Sequence, residues 1–193
     1  LDESLYYPDA GVDVHMGLHD FQCVDCHGGE NHQILGHSIS VSPEVKESAV
    51  ACVDCHQGTI HSDERVNEHT DAVACQTCHI PEGALRHPTK VDWDWSTAGQ
   101  DLPEDPHVYL KIKGNFVYEH DYRPTYLWWN GAADRYLVGD LIDPTQVTPI
   151  NQPQGSIADS NAKIYPFKVH TARQPYDVVN EYLLVPMTAG DGG

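Results

Sequence analysis

Basic residues are scarce in this 193-residue chain: 11 Lys and Arg stand against 29 Asp and Glu, a formal net charge of −18. Such a surface repels nucleic acid and anionic membranes. Basic proteins, cations or minerals suit it as partners, and so does plain solvation of an exported surface. Long apolar runs are missing too, and no segment has the length of a transmembrane helix. The stretch after Leu1 is polar and tyrosine-containing, without a charged n-region, an apolar h-region or a cleavage site. The chain therefore reads as a mature form after signal removal. Methionine is confined to Met16 and Met187, which restricts methionine ligation of iron.

No cysteine is left for a disulfide, because all six fall in three copies of Cys-x-x-Cys-His: Cys23/Cys26/His27, Cys52/Cys55/His56 and Cys75/Cys78/His79. On one helical turn, residues at i and i+3 share a face, so two thiols can each form a thioether with a haem vinyl group. The histidine that follows places an imidazole over the same macrocycle as the proximal iron ligand. Competing chemistries fit less well. A zinc ribbon takes Cys-x-x-Cys units in twos, with no histidine fixed behind each. A thioredoxin-like pair occurs once, beside a βαβ pattern that is missing here. The expected cofactors are three covalently bound haem c groups. Their attachment takes place outside the cytoplasm, which implies a periplasmic or extracellular location.

Histidine is in surplus. The chain has 13, more than three proximal and three distal positions consume, so bis-histidine, low-spin, low-potential haems are the economical assignment. The distal candidates are His15 and His19, which share a helical face ahead of the first motif; His32 and His37, which follow it; and His61 and His69, between the second and third motifs. His87, His107, His120 and His170 read as structural or propionate-binding. A spare histidine is what a ligand lent to a neighbouring copy would look like, and also what an idle surface residue looks like.

Organisation changes near residue 90. Residues 1–90 form a trihaem-binding region. Residues 91–193 are haem-free and rich in tryptophan and proline, and are expected to wrap the haem array as part of one folding unit. Runs at Asn115–Tyr118, Tyr136–Val138, Lys163–Val169 and Tyr182–Val185 alternate with Pro, Gly, Asn and Asp punctuation and predict short strands. The predicted fold is mostly irregular, with a few short α-helices at the haem motifs and short β-strands or hairpins in the C-terminal half, organised by its haems. Only 40% of the residues are hydrophobic, and porphyrin faces would supply the missing apolar area. Trp93, Trp95, Trp128 and Trp129 read mainly as packing. Lys168, His170 and Arg173 are candidates for binding a propionate or another anion.

Residues 74–99 (ACQTCHIPEGALRHPTKVDWDWSTAG), 111–131 (KIKGNFVYEHDYRPTYLWWNG) and 161–177 (NAKIYPFKVHTARQPYD) resemble the carboxy-terminal half of the octahaem tetrathionate reductase family of multihaem cytochromes. CVDCHGGENHQI at the first motif is compatible with it. The resemblance implies mostly bis-histidine haems in close contact. The family's catalytic haem has a lysine ligand from a Cys-x-x-Cys-Lys motif, and this chain has none. The resemblance therefore implies a haem-wire module without the family's catalytic centre.

Two functional classes follow. In the first, the chain is an electron-transfer protein that passes electrons through closely spaced bis-histidine haems to redox partner proteins or extracellular acceptors. Its copies would polymerise head to tail into a conductive extracellular filament, a nanowire. In the second, one haem keeps an open distal position and the chain is a catalytic reductase of the tetrathionate, nitrite or hydroxylamine type, or a subunit of one. The acidic surface disfavours anionic substrates.

Overall fold

The computed structural model describes residues 3–30, 33–34 and 50–187. Its helices are short: α1 (Val14–His19), α2 (Cys23–Cys26), α3 (Glu64–His69) and α4 (Cys75–His79), with a 3-10 turn at Cys52–Asp54. Each of the three motifs thus nucleates its own helical turn, as the spacing predicts. The strands are β1 (Gly29–Glu30), β2 (Gln33–Ile34), β3 (Thr89–Asp94), β4 (Tyr109–Leu110), β5 (Gly114–Glu119), β6 (Thr125–Trp129), β7 (Ala133–Arg135), β8 (Asn151–Pro153), β9 (Lys163–Phe167), β10 (Thr171–Arg173), β11 (Tyr176–Asp177) and β12 (Tyr182–Leu183). Short strands with long connections fill the C-terminal half.

The chain divides into two compact units interleaved in sequence. The first is built from Leu1–Pro81, Tyr126–Asp134 and Pro153–Pro166, and the second from Glu82–Thr125, Arg135–Gln152 and Phe167–Gly193. In the first unit, strand β9 pairs with β6 and forms a parallel bridge from Ile164 to Val73. All three motifs lie in this unit. Ala74 and Ala162 are its buried apolar side chains among the described residues. The polypeptide alone therefore builds little core.

The second unit centres on a sheet of order β10-β3-β5-β4, in which β3 runs antiparallel to β5 and parallel to β10. A bulge between Lys90 and Asp92 shifts the register by one residue. It puts Lys90 on the same face as Trp93, three positions on, where simple alternation would have opposed them. On that face Trp93 stacks on Trp95 at 4.6 Å and meets Phe116 edge-on at 5.7 Å. The Lys90 ammonium lies 3.7 Å from the Phe116 ring centre and 4.6 Å from that of Trp93. The indole N–H of Trp93 donates to the Lys113 carbonyl at 2.6 Å. Trp93 is thus a packing residue, as read from its sequence context.

Three strand runs end differently from their sequence expectation. Tyr136–Val138 is a turn: the Asp140 carboxylate accepts the Leu137 N–H at 2.7 Å and Gly139 takes φ +94°. Turn chemistry overrides β-propensity there. The run at Lys163–Val169 stops at Phe167, and the one at Tyr182–Val185 stops at Leu183.

Candidate cofactor-binding site

The first two motifs share the string Cys-Val-Asp-Cys-His, and the aspartate explains how such short turns hold together. Asp25 accepts the Gln22 N–H at 2.6 Å, and Asp54 accepts the Ala51 N–H at 3.0 Å. Each carboxylate thereby satisfies a backbone donor at the start of its turn. The histidine N–H then closes the turn, from His27 to the Cys23 carbonyl and from His56 to that of Cys52, both at 2.8 Å. All four cysteines are exposed as residues, although the Cys52 sulfur itself is partly covered.

The third motif reads Cys-Gln-Thr-Cys-His and is anchored differently. With no aspartate to cap it, the turn is tied to β9: the Thr77 hydroxyl and the Ala74 N–H donate to the Ile164 carbonyl at 2.7 and 3.0 Å. The Ile164 N–H returns a bond to the Ala72 carbonyl at 2.8 Å. The sequence gap between Thr77 and Ile164 hides this tie, and no local signal announces it.

Among the described residues, four histidines form two close ring pairs. His15, on α1, has its ring centre 6.0 Å from that of His56, tilted by 59°. His61 lies 6.0 Å from His79, nearly parallel at 21°. Two imidazoles bound through nitrogen to opposite sides of one metal, each bond about 2.0–2.1 Å long, put their ring centres about 6 Å apart. Both separations match that spacing.

Each upstream histidine is held by its own local structure. Asp13 caps α1 by accepting the His15 and Met16 N–H groups at 2.9 and 3.0 Å, and its carboxylate lies 3.9 Å from His15 Nδ1. A carboxylate beside the second ring nitrogen is the usual way to orient a metal-binding imidazole. Phe21 borders the same ring, 5.6 Å between centres. His61 is gripped through its backbone, because Asn67 accepts its N–H at 2.9 Å and donates to its carbonyl at 2.8 Å. His61 Nδ1 is buried and has no hydrogen-bond partner among the described residues. An orphaned imidazole nitrogen beside a facing imidazole suits a metal ligand.

Among the described residues, no group of three or more His, Cys, Asp or Glu side chains converges as a free-ion site would require. Facing histidine pairs, each with a thiol pair one turn away, fit an iron porphyrin instead of a tetrahedral ion. His19 and His69 close α1 and α3 and are exposed. Neither joins a facing pair among the described residues. His32 and His37 lie outside the described residues. His107 meets Tyr118 edge-on at 4.9 Å.

The second and third motifs meet at their first cysteines. Burial pushes the Cys52 thiol up, and the neighbouring Cys75 thiol adds to the shift. Burial also holds the Tyr165 phenol above its ordinary range, with Cys52 and Cys75 contributing. The candidate anion-binding side chains lie in the second unit. Lys168 donates to the Thr89 hydroxyl and the Lys90 carbonyl at 2.9 and 3.0 Å, and Arg173 pairs with Asp94 at 3.2 Å. Burial lowers the His170 imidazole, aided by Lys168 and Lys90. No described helix is long and apolar enough to cross a membrane.

A family model described as bacterial cytochrome c matches residues 90–193, and one described as cytochrome c7 and related cytochrome c matches residues 9–80. Among solved structures, the octahaem cytochrome c from Shewanella oneidensis is similar over 100% of this chain, with 48% identity and a TM-score of 0.91. The chain spans 46% of that protein's length. No curated protein matches.

Proposed function

This chain belongs to the bacterial cytochrome c family, and from that membership we propose that it is an electron-transfer module carrying three haem c groups in a closely spaced row. The observation that carries the reading is the pair of imidazole separations, 6.0 Å for His15 with His56 and 6.0 Å for His61 with His79. Haem, when bound, supplies a one-electron couple. The chain's own residues then do the rest. Cys52 with Cys55 and Cys75 with Cys78 tether two macrocycles, His56 and His79 are their proximal ligands, and His15 and His61 are the distal ones. Cys23, Cys26 and His27 hold the third.

Two strong axial imidazoles leave no open coordination position, so such a site passes electrons without binding a substrate. The influence of the Cys75 thiol on that of Cys52 supports a short path between two of the macrocycles. The acidic excess is concentrated in the motif-bearing unit, whose basic residues are Lys46, Arg65 and Lys163. A basic redox partner is favoured electrostatically at that unit, outside the cytoplasm where haem attachment takes place. In its fuller form, the proposal has copies of the chain joined end to end in a filament, a use for the surplus histidines.

Intact mass of native material should exceed the polypeptide by three haems. The ferric spectrum should be wholly low-spin and insensitive to cyanide, nitrite and carbon monoxide. A high-spin component in the unmodified protein would replace this reading with a catalytic one. Fibres in micrographs of native material would support the filament; monodisperse monomers at every salt concentration would exclude it.

A further inference from the structure

Strand β9 comes from the haem-free part of the chain, yet it is fastened along the third motif. Ile164 exchanges backbone hydrogen bonds with Ala72 and Ala74 and also accepts from Thr77, and the Lys163 ammonium donates to the Thr70 carbonyl at 2.5 Å. The anchoring fixes the direction of the next side chain, because successive residues of a strand point to opposite faces. That residue is Tyr165. Its ring is half-buried and meets the Trp129 ring edge-on, with centres 4.9 Å apart and planes at 89°. Trp129 is held in turn by its indole N–H, which donates to the Ala132 carbonyl at 2.8 Å.

What Tyr165 faces follows from the cysteines. Tyr165 follows directly on Ile164, whose carbonyl accepts the N–H of Ala74, the residue before Cys75, so the strand sets it beside the first attachment point of the third motif. Cys52, of the second motif, acts on the Cys75 thiol, and both act on the Tyr165 phenol, in keeping with that placement. A thioether sulfur lies one carbon from the edge of its macrocycle, so neighbouring sulfurs bring two macrocycle edges together. Cys75 is also less exposed than the other five cysteines. This spot is the most enclosed of the attachment points.

We propose that Tyr165 is a positioning residue at this junction, its ring braced by Trp129 to keep water from the gap between the second and third haem edges. The inference rests on the haem-row reading and adds a residue to it that no cysteine or histidine motif marks. Exclusion of water matters because the ferric porphyrin carries one more positive charge than the ferrous form. Water stabilises the ferric state and lowers the reduction potential, and burial is one of the protein's levers on that potential.

The test uses the holoprotein and begins with a haem count by intact mass and pyridine haemochrome. Absence of haem in the unmodified chain would defeat the functional reading itself, and this inference with it. With three haems present, spectropotentiometric titration of Y165A should move two of the three redox waves downward and leave the third in place. Y165F, which keeps the ring, should restore all three waves. Three unmoved waves in Y165A, an equal shift of all three, or a Y165F shift as large as that of Y165A would each overturn the sealing role. If Y165A loses haem or fails to fold, Y165L takes its place. A smaller downward shift of the same two waves supports the proposal, and no shift overturns it.

Discussion

The imidazoles of His15 and His56 face one another at 6.0 Å although the whole first motif lies between them in the chain. With the ligation proposed above, a ligand supplied from upstream of one motif to the next would tie the N-terminal helix to the second attachment site. His15→Ala should therefore convert one haem in three to a high-spin ferric form that binds cyanide, and it should be the haem on Cys52 and Cys55. Ferric absorption and electron paramagnetic resonance read the spin state, and peptide mapping of a haem-directed label reads the location. A protein that stays wholly low-spin would break the pairing.

Asn67 offers a way to disturb a candidate distal ligand without touching it. Its amide holds both the N–H and the carbonyl of His61, which replaces two backbone partners that no neighbouring strand supplies. Asn67→Ala leaves those groups to water and should cost about 1–2 kcal/mol of local order. The expected result is a partly high-spin haem on Cys75 and Cys78, with the other two haems unchanged. Asn67→Asp keeps the acceptor but loses the donor, so its spectrum should fall between the two. Equal low-spin spectra for all three proteins would remove Asn67 from the site.

The turns at the motifs were legible because Cys-x-x-Cys-His encodes its own geometry within five residues, and the short strands because Pro, Gly and Asp mark their ends. Pairing of His15 with His56 and of His61 with His79 was not legible. His15, His19, His61 and His69 are alike in sequence context, and what separates them is where short helices and a side-chain clamp point each ring. The tie from Thr77 to Ile164 escaped for a similar reason, since a threonine within a haem motif carries no sign of its distant acceptor. Tyr136–Val138 looked like a strand because its residues favour one, while the turn was set by Gly139 and Asp140 just beyond it.

Gly114 tests the sheet of the second unit. It opens β5 with φ +83°, and a Cβ added there would collide with the Asp94 carbonyl and come within 2.9 Å of the Thr97 hydroxyl. Gly114→Ala should thus destabilise this unit by at least about 2 kcal/mol, a backbone effect combined with a steric one. Gly139→Ala, in the same unit, is the control: φ is +94° but nothing lies within 4 Å of the added carbon, so only the conformational cost of about 1 kcal/mol applies. Thermal or denaturant unfolding should place the first variant well below the second. Similar midpoints would mean that β3 and β5 can separate enough to admit a methyl group.

Acid should weaken the second unit in two stages. His170 has its pKa lowered by burial and then by Lys168 and Lys90, so the folded state binds fewer protons than the unfolded one as pH falls through the ordinary histidine range. Stability is full above that range and declines through it as pH drops toward the depressed folded value. Asp94 behaves in the same sense at lower pH: the Ser96 hydroxyl and backbone N–H, with Arg173, hold its pKa below the carboxylate range. Its contribution is present above that range and disappears as the folded carboxylate is finally protonated. His170→Gln should flatten the upper stage alone and Asp94→Asn the lower stage alone, as read by unfolding midpoints across the pH series. A stability profile unchanged by His170→Gln would remove that imidazole from the upper stage.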